Sequence, residues 1–195
     1  MVVNRTTVPS CASPAAPASA ARPSALLSRR PLALLIVLLL AAADQWSKDA
    51  VCRGVPLSGQ VHLIPGCLSL VHFRNTGAAW GLFQGLSPVL ATVSVAVLGF
   101  IAWRYRQLAA GRVERAFALL LVAGGVLGNF VDRVLRGEVV DFVRVYYRSF
   151  EWPAFNLADS AICCGVALFL YSSIRHPDPD QAPNARPTSQ TSPGQ

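Results

Sequence analysis

Charge is scarce in this chain. Of its 195 residues only 14% are Asp, Glu, Lys or Arg, against roughly 25% in ordinary soluble domains. Such a sequence cannot cover a soluble surface in the usual way. Histidine and cysteine are sparse too. His62, His72 and His176 are dispersed and match no zinc-ligand spacing. Cys11, Cys52, Cys67, Cys163 and Cys164 contain no CxxC pair, and the adjacent two fall inside an apolar run, where they read as small packing residues. Cys52 and Cys67 are candidates for a disulfide only if both face an oxidising compartment. The net charge of +7 comes without a basic helix or an interleaved aromatic stripe. Nucleic acid is therefore a poor partner, and the basic residues read better as membrane flanks.

What the chain has is apolar length: 53% hydrophobic residues and a mean hydropathy of +0.43. Four segments approach the ~20 residues that a helix needs to cross a ~30 Å hydrocarbon core. They are "PLALLIVLLLAAADQWSKDAV" (31–51), "LSPVLATVSVAVLGFIAW" (86–103), "AFALLLVAGGVLGNFVDRVL" (116–135) and "DSAICCGVALFLYSSI" (159–174). The expected fold is an all-α membrane protein of four transmembrane helices in one domain, residues 29–175. Residues 1–28 and 176–195, rich in Ala, Pro and Ser or in Pro and polar residues, read as disordered tails. The first apolar segment also has the basic flank of a cleaved secretory signal. Its continuation into the polar "DQWSKD" favours retention as a helix.

Arg29 and Arg30 precede the first helix, and Arg104, Arg106, Arg112 and Arg115 surround the link between the second and third, so both places read as cytoplasmic. The other side also carries basic residues, so the rule supports cytoplasmic termini only in part. With that orientation Asp44, Asp132 and Asp159 fall at the outer ends of their helices. The longer loops, 52–85 and 136–158, lie on the same face. "EVVDFVRVYYR" (138–148) and "CLSLVHFRN" (67–75) alternate as strands do, and "NTGAAWG" (75–81) reads as a glycine-dependent turn. They predict a small extracytoplasmic β-layer on the bundle, with Trp46, Trp80, Tyr146, Tyr147 and Trp152 in the headgroup region.

Ionisable residues at membrane depth are costly, so their convergence marks a functional site. Asp141 stands among Val139, Val140, Phe142 and Val143, surroundings that raise a carboxyl pKa. Asp159 opens the fourth helix, where a carboxylate caps free N–H groups and faces the positive end of the helix dipole. Singly, each reads as a strand acid with a basic partner or an ordinary cap. Together they suit an acid/base pair, one accepting a proton from water while the other, protonated, polarises a carbonyl. Asp132, beside Arg133 and one turn after Asn129, reads as a helix-end salt bridge. Ser47 and Lys48 are consecutive on a helix and do not face each other, which argues against a Ser–Lys hydrolase. Lys48 reads as a snorkelling residue or a partner of Asp44 one turn earlier. A proton-coupled transporter and a non-catalytic membrane scaffold remain as rival classes. The transporter calls for acids near the middle of the spans, where "LLIVLLL" and "VSVAVLGF" carry none.

"DQWSK" (44–48), "FRNTGAAWG" (73–81), "GNFVDR" (128–133), "VVDF" (139–142) and "FNLADS" (155–160) occur in the order of the motif blocks of lipoprotein signal peptidase, signal peptidase II. The chain resembles that family over about residues 31–175. The resemblance implies a bacterial inner-membrane aspartyl endopeptidase that removes the signal peptide of prolipoproteins before a diacylglyceryl-modified cysteine. It places a catalytic dyad on Asp141 and Asp159, and binding or supporting roles on Asp44, Lys48, Asn75, Asn129, Asp132, Arg133 and Asn156. It implies no metal or organic cofactor. Its partners are lipidated prolipoproteins and membrane lipids, with no nucleic acid, and the enzyme reads as a monomer. The Ala/Pro/Ser-rich N-terminal segment departs from the family's compact start.

Overall fold

The structure is a computed structural model that describes residues 30–78 and 82–176. Both tails beyond those limits, and Arg29 and Trp80, lie outside the described residues. Four helices are long and apolar enough to span a membrane: α1 (Arg30–Gly54), α2 (Ser87–Ala109), α3 (Val113–Leu135) and α4 (Leu157–Arg175). The shortest has 19 residues, about 28 Å at 1.5 Å per residue, so the span expected to be short gains its length from an extra turn. A four-stranded antiparallel sheet in the order β1 (Gln60–Ile64), β2 (Leu68–Asn75), β3 (Val139–Tyr147), β4 (Phe150–Glu151) fills the two longer connections. The two predicted strands are β2 and β3.

α3 is the central helix, with half of its apolar span buried, while α1, α2 and α4 leave Leu34, Leu38, Val93, Phe100, Val166 and Leu170 exposed, as lipid-facing helices do. Small residues let the neighbours approach. A Cβ on Gly124 would stand 2.5 Å from Leu40, and one on Gly125 would stand 2.4 Å from the Ala158 carbonyl oxygen of α4. At the end remote from the sheet, Ile101, Ala109, Ala116, Leu119 and Ala123 form one core. There the link between α2 and α3 is shorter than expected. Arg104 and Arg106 belong to the end of α2, and Arg115 is buried in the first turn of α3, donating to the His176 carbonyl at 2.7 Å.

α1 runs through "DQWSKD" without a break and ends at Gly54. Its last turns meet the sheet, where Val51 and Val55 pack on Phe142, Leu70 and Val143. β2 carries an extra residue against β3 between Leu70 and Phe73, a bulge of the kind that bends a sheet. Trp46, Tyr147 and Trp152 are exposed around this end, as headgroup-level aromatics would be. Cys52 and Cys67 are both free thiols, and Cys52 Sγ lies 3.4 Å from His72 Nε2.

Candidate active site

α1, α3, α4 and β3 converge where the bundle meets the sheet, and each brings polar side chains to the same place. On α1, Asp44 and Lys48 are one turn apart and wholly buried, with Lys48 Nζ 2.6 Å from Asp44 Oδ2. The same ammonium stands 2.8 Å from Asp132 Oδ2 and donates to Asn129 Oδ1 at 3.0 Å, both on α3. Lysine is a donor only, so it fixes the oxygen of the Asn129 amide toward itself. The Asn129 NH₂ is thereby turned to Asp159 Oδ1, 2.7 Å away.

The start of α4 departs from expectation by three residues. Asn156, not Asp159, is the N-cap: its side-chain oxygen accepts from Asp159 N at 2.9 Å, and Asp159 Oδ2 accepts from Asn156 N at 3.2 Å. This is a reciprocal capping box that locks the Asp159 rotamer. Asp44 Oδ1 reaches across from α1 to accept from Ala158 N at 2.9 Å, satisfying another of the free amides at the helix start. The fit is tight, because a Cβ on Gly128 would come 2.6 Å from Asp44 Oδ2.

Asp141 lies in the middle of this layer on β3, 2% exposed. Asn156 Nδ2 donates to its Oδ1 at 2.7 Å and Asn75 Nδ2 to its Oδ2 at 3.0 Å. Burial first, and then the nearby Asp159 charge, push the Asp141 carboxyl up to about 7, although both amide hydrogen bonds oppose the rise. The Asn75 oxygen is tied to Gly77 N at 2.9 Å in the expected turn, where a Cβ on Gly77 would stand 2.4 Å from the Leu82 carbonyl. Asp141 and Asp159 line one cavity of about 380 Å³, together with Asn75, Asn129, Arg133 and apolar groups from Val139, Phe155 and Ile162.

All nine residues singled out from the sequence therefore gather in one cluster. One pairing differs from expectation. The guanidinium that engages Asp132 is that of Arg136, one turn further on, whereas Arg133 donates to the carbonyls of Asn129 (3.3 Å) and Gly77 (3.1 Å) and borders the cavity. Consecutive helix residues point apart, and residues four apart do not. Sequence reasoning missed Arg136 and Gln45 as members of this layer. Gln45 Nε2 donates to Asp132 Oδ1 at 3.1 Å and to the Gly128 carbonyl at 3.0 Å, and Arg136 also reaches Gln45 Oε1 and Asp49. The i, i+4 spacing of Asp132 and Arg136 was the available signal. The described residues contain no cluster of His, Cys, Asp and Glu able to hold a metal ion.

Two carboxylates lining one cavity, Asp141 buried and Asp159 partly buried, at the end of four membrane-spanning helices, narrow the possible families. Residues 36–175 match the family model of signal peptidase (SPase) II. The chain belongs to the signal peptidase II family. Curated lipoprotein signal peptidases from Syntrophotalea carbinolica and Geobacter sulfurreducens are each 43% identical, over 73% and 72% of this chain and 90% and 89% of their own lengths. The one from Halalkalibacterium halodurans is 40% identical over 74% of this chain and 90% of its own. Two solved bacterial membrane enzymes share the fold, with TM-scores of 0.71 and 0.66 at 28% and 30% identity. They cover 81% and 75% of this chain and 96% and 95% of theirs. A signal peptidase II is a multi-pass membrane aspartic protease that processes prolipoproteins, and this chain has the four spans that such a protein requires.

Proposed function

We propose that Asp141 and Asp159 are the catalytic dyad of this peptidase, and that it cuts on the N-terminal side of a diacylglyceryl-modified cysteine. The observation that carries the reading is the shared cavity, with Asp141 held up to about 7 inside it. Protonated Asp141 hydrogen-bonds the scissile carbonyl oxygen while Asp159 takes a proton from water. The water oxygen then adds to the carbonyl carbon, and the Asp141 proton passes to the oxygen that becomes negative. Collapse breaks the C–N bond and a proton moves to the leaving amine, giving a signal peptide with a new carboxylate and a chain with a free amine. Asn75, Asn129 and Asn156 aim the two carboxyls. Asp44, Lys48 and Asp132 hold Asn129 and the start of α4, and Arg133 supplies positive charge at the cavity wall.

The sheet end is assigned to the extracytoplasmic surface and both termini to the cytoplasm, with the protein acting as a monomer. Arg104, Arg106 and Arg112 at the opposite end support that orientation. A single cysteine at Gln107 and another at Ser58, each in a cysteine-free background, are then labelled by impermeant reagents from opposite sides. Labelling from one side overturns the orientation.

A diacylglyceryl group resists leaving the bilayer, because each buried CH₂ contributes ~0.8 kcal/mol. Purified enzyme incubated with a diacylglyceryl-modified prolipoprotein therefore releases the signal peptide far faster than it does from the unmodified precursor. Equal rates on the two forms in detergent contradict the placement of the lipidated cysteine at this cavity.

A further inference from the structure

A second cavity of about 580 Å³ adjoins the first at Asp141. Asn75, Ala78, Asp141, Pro153 and Ala154 line both, and beyond that common wall the two differ in kind. The first runs back between α3 and α4 and is closed by Asn129, Arg133, Asp159 and Ile162. None of the residues lining the second belongs to a helix; it is built from the sheet and its loops, with Gln60, His72, Arg144 and Glu151 on its walls. Asp141 stands at the junction. A peptide cut there has one half on each side. The half drawn from the membrane is an apolar helix that can lie against the spans. The other half is an extended polar chain, whose N–H and C=O groups cannot be left in hydrocarbon without large cost.

We propose that the sheet cavity binds the first residues of the substrate after its cysteine, and that Arg144 and Glu151 set which charges it accepts there. The inference rests on the peptidase reading above and adds a subsite to it. Arg144 lies three residues beyond Asp141 on β3, about 10 Å at 3.3 Å per strand residue, the reach of an extended tripeptide. Its guanidinium pairs with Glu151 of β4 and donates to Gln60 Oε1 at 3.3 Å. Its Nε is buried and has no hydrogen-bond partner, a donor left facing no acceptor of the protein. Gln60, Arg144 and Glu151 continue into a smaller cavity of about 130 Å³ with His62, Tyr146 and Arg148, so the groove runs on past the pair. The ion pair balances one positive against one negative wall. Removing either member leaves the other to select the opposite charge in the substrate.

The test uses lipidated precursors identical up to the cysteine, with neutral, acidic or basic residues at the next three positions, and full-chain enzyme. Arg144→Gln, which strands Glu151, shifts the kcat/KM ratio of basic to acidic substrate upward by about fivefold to tenfold, an ordinary size for one charge contact. Glu151→Gln shifts the same ratio downward. The double variant Arg144→Gln/Glu151→Gln returns the ratio to near that of the parent. A further arm needs no variant: the KM of the parent rises when the precursor is shortened to end at its cysteine. A shift of the ratio in the same direction by both single variants, no shift at all, or a parent KM indifferent to shortening overturns the subsite. Continued release of signal peptide from the neutral precursor in those same assays leaves the peptidase reading in place.

Discussion

Asp141→Asn and Asp159→Asn each stop signal-peptide release, with losses of about a thousandfold or more, the upper part of the range for a positioned acid or base. The asparagine keeps the size of the carboxyl, and its oxygen can still accept from one of the two N–H donors that each aspartate meets. It cannot take a proton from the attacking water or hand one to the scissile carbonyl. Because the two residues act as a unit, the double variant is scarcely worse than either single one. Folded samples, judged by thermal unfolding in detergent, and a lipidated substrate make the comparison fair. Substantial turnover by either variant would remove that residue from the dyad.

The same Asp141 carboxyl ties activity and stability to pH. In the folded protein it titrates near 7, and in the unfolded chain near 3.8. Between those values the folded state holds a proton that the unfolded state has released, so the fold loses stability as pH rises through that window. At about 1.4 kcal/mol per pKa unit, Asp141→Asn unfolds at a higher temperature than the parent above pH 7 and near the same temperature at pH 4. Cleavage falls on an alkaline limb around 7, as Asp141 loses the proton it offers to the scissile carbonyl. A pH-independent stability difference between parent and variant would show that burial does not hold the proton on Asp141.

The spans were legible because a bilayer sets their length and composition. β2 was legible from its alternation, and β3, whose first four residues are buried on both faces, from its run of valines and aromatics. β1 carries no such record: all five residues of "QVHLI" are exposed, so nothing in the pattern marks it as a strand. The start of α4 was misplaced because Asn156 and Asp159 are both capping residue types, and the sequence does not say which of the two stands outside the helix. The assembly of the polar layer was only half legible. Spacing within a helix joins Asp44 to Lys48, and could have joined Asp132 to Arg136. No spacing rule brings Lys48 of α1 to Asn129 of α3, or Asn156 to Asp141, because those contacts depend on how closely the helices approach. Gly125 and Gly128, which permit that approach, read in the sequence only as small residues in an apolar run.

Lys48→Met is expected to be the most damaging change outside the dyad. Lys48 is wholly buried between two carboxylates, themselves wholly buried. Without its ammonium, Asp44 and Asp132 remain as neighbouring negative charges in a dry layer, with Arg136 reaching only the outer one. Removing one member of such a buried cluster costs about 3–5 kcal/mol. By comparison Asp49→Asn, which loosens contacts of exposed Arg53 and half-exposed Arg136, costs at most about 1 kcal/mol. Lys48→Arg does not rescue the loss, because a planar guanidinium is bulkier than the ammonium and no open space surrounds it. Activity suffers separately from stability. Without Lys48 the Asn129 oxygen keeps only the Asn156 Nδ2 donor at 3.2 Å, so the amide that gives its NH₂ to Asp159 is held less firmly. In the fraction that remains folded at low temperature, kcat therefore falls while KM changes little, as expected for a group that aims the catalytic base without touching substrate. An unfolding temperature within a degree or two of the parent would show that Lys48 does not neutralise this cluster, and unchanged kcat in a destabilised protein would show that Asn129 holds its orientation without it.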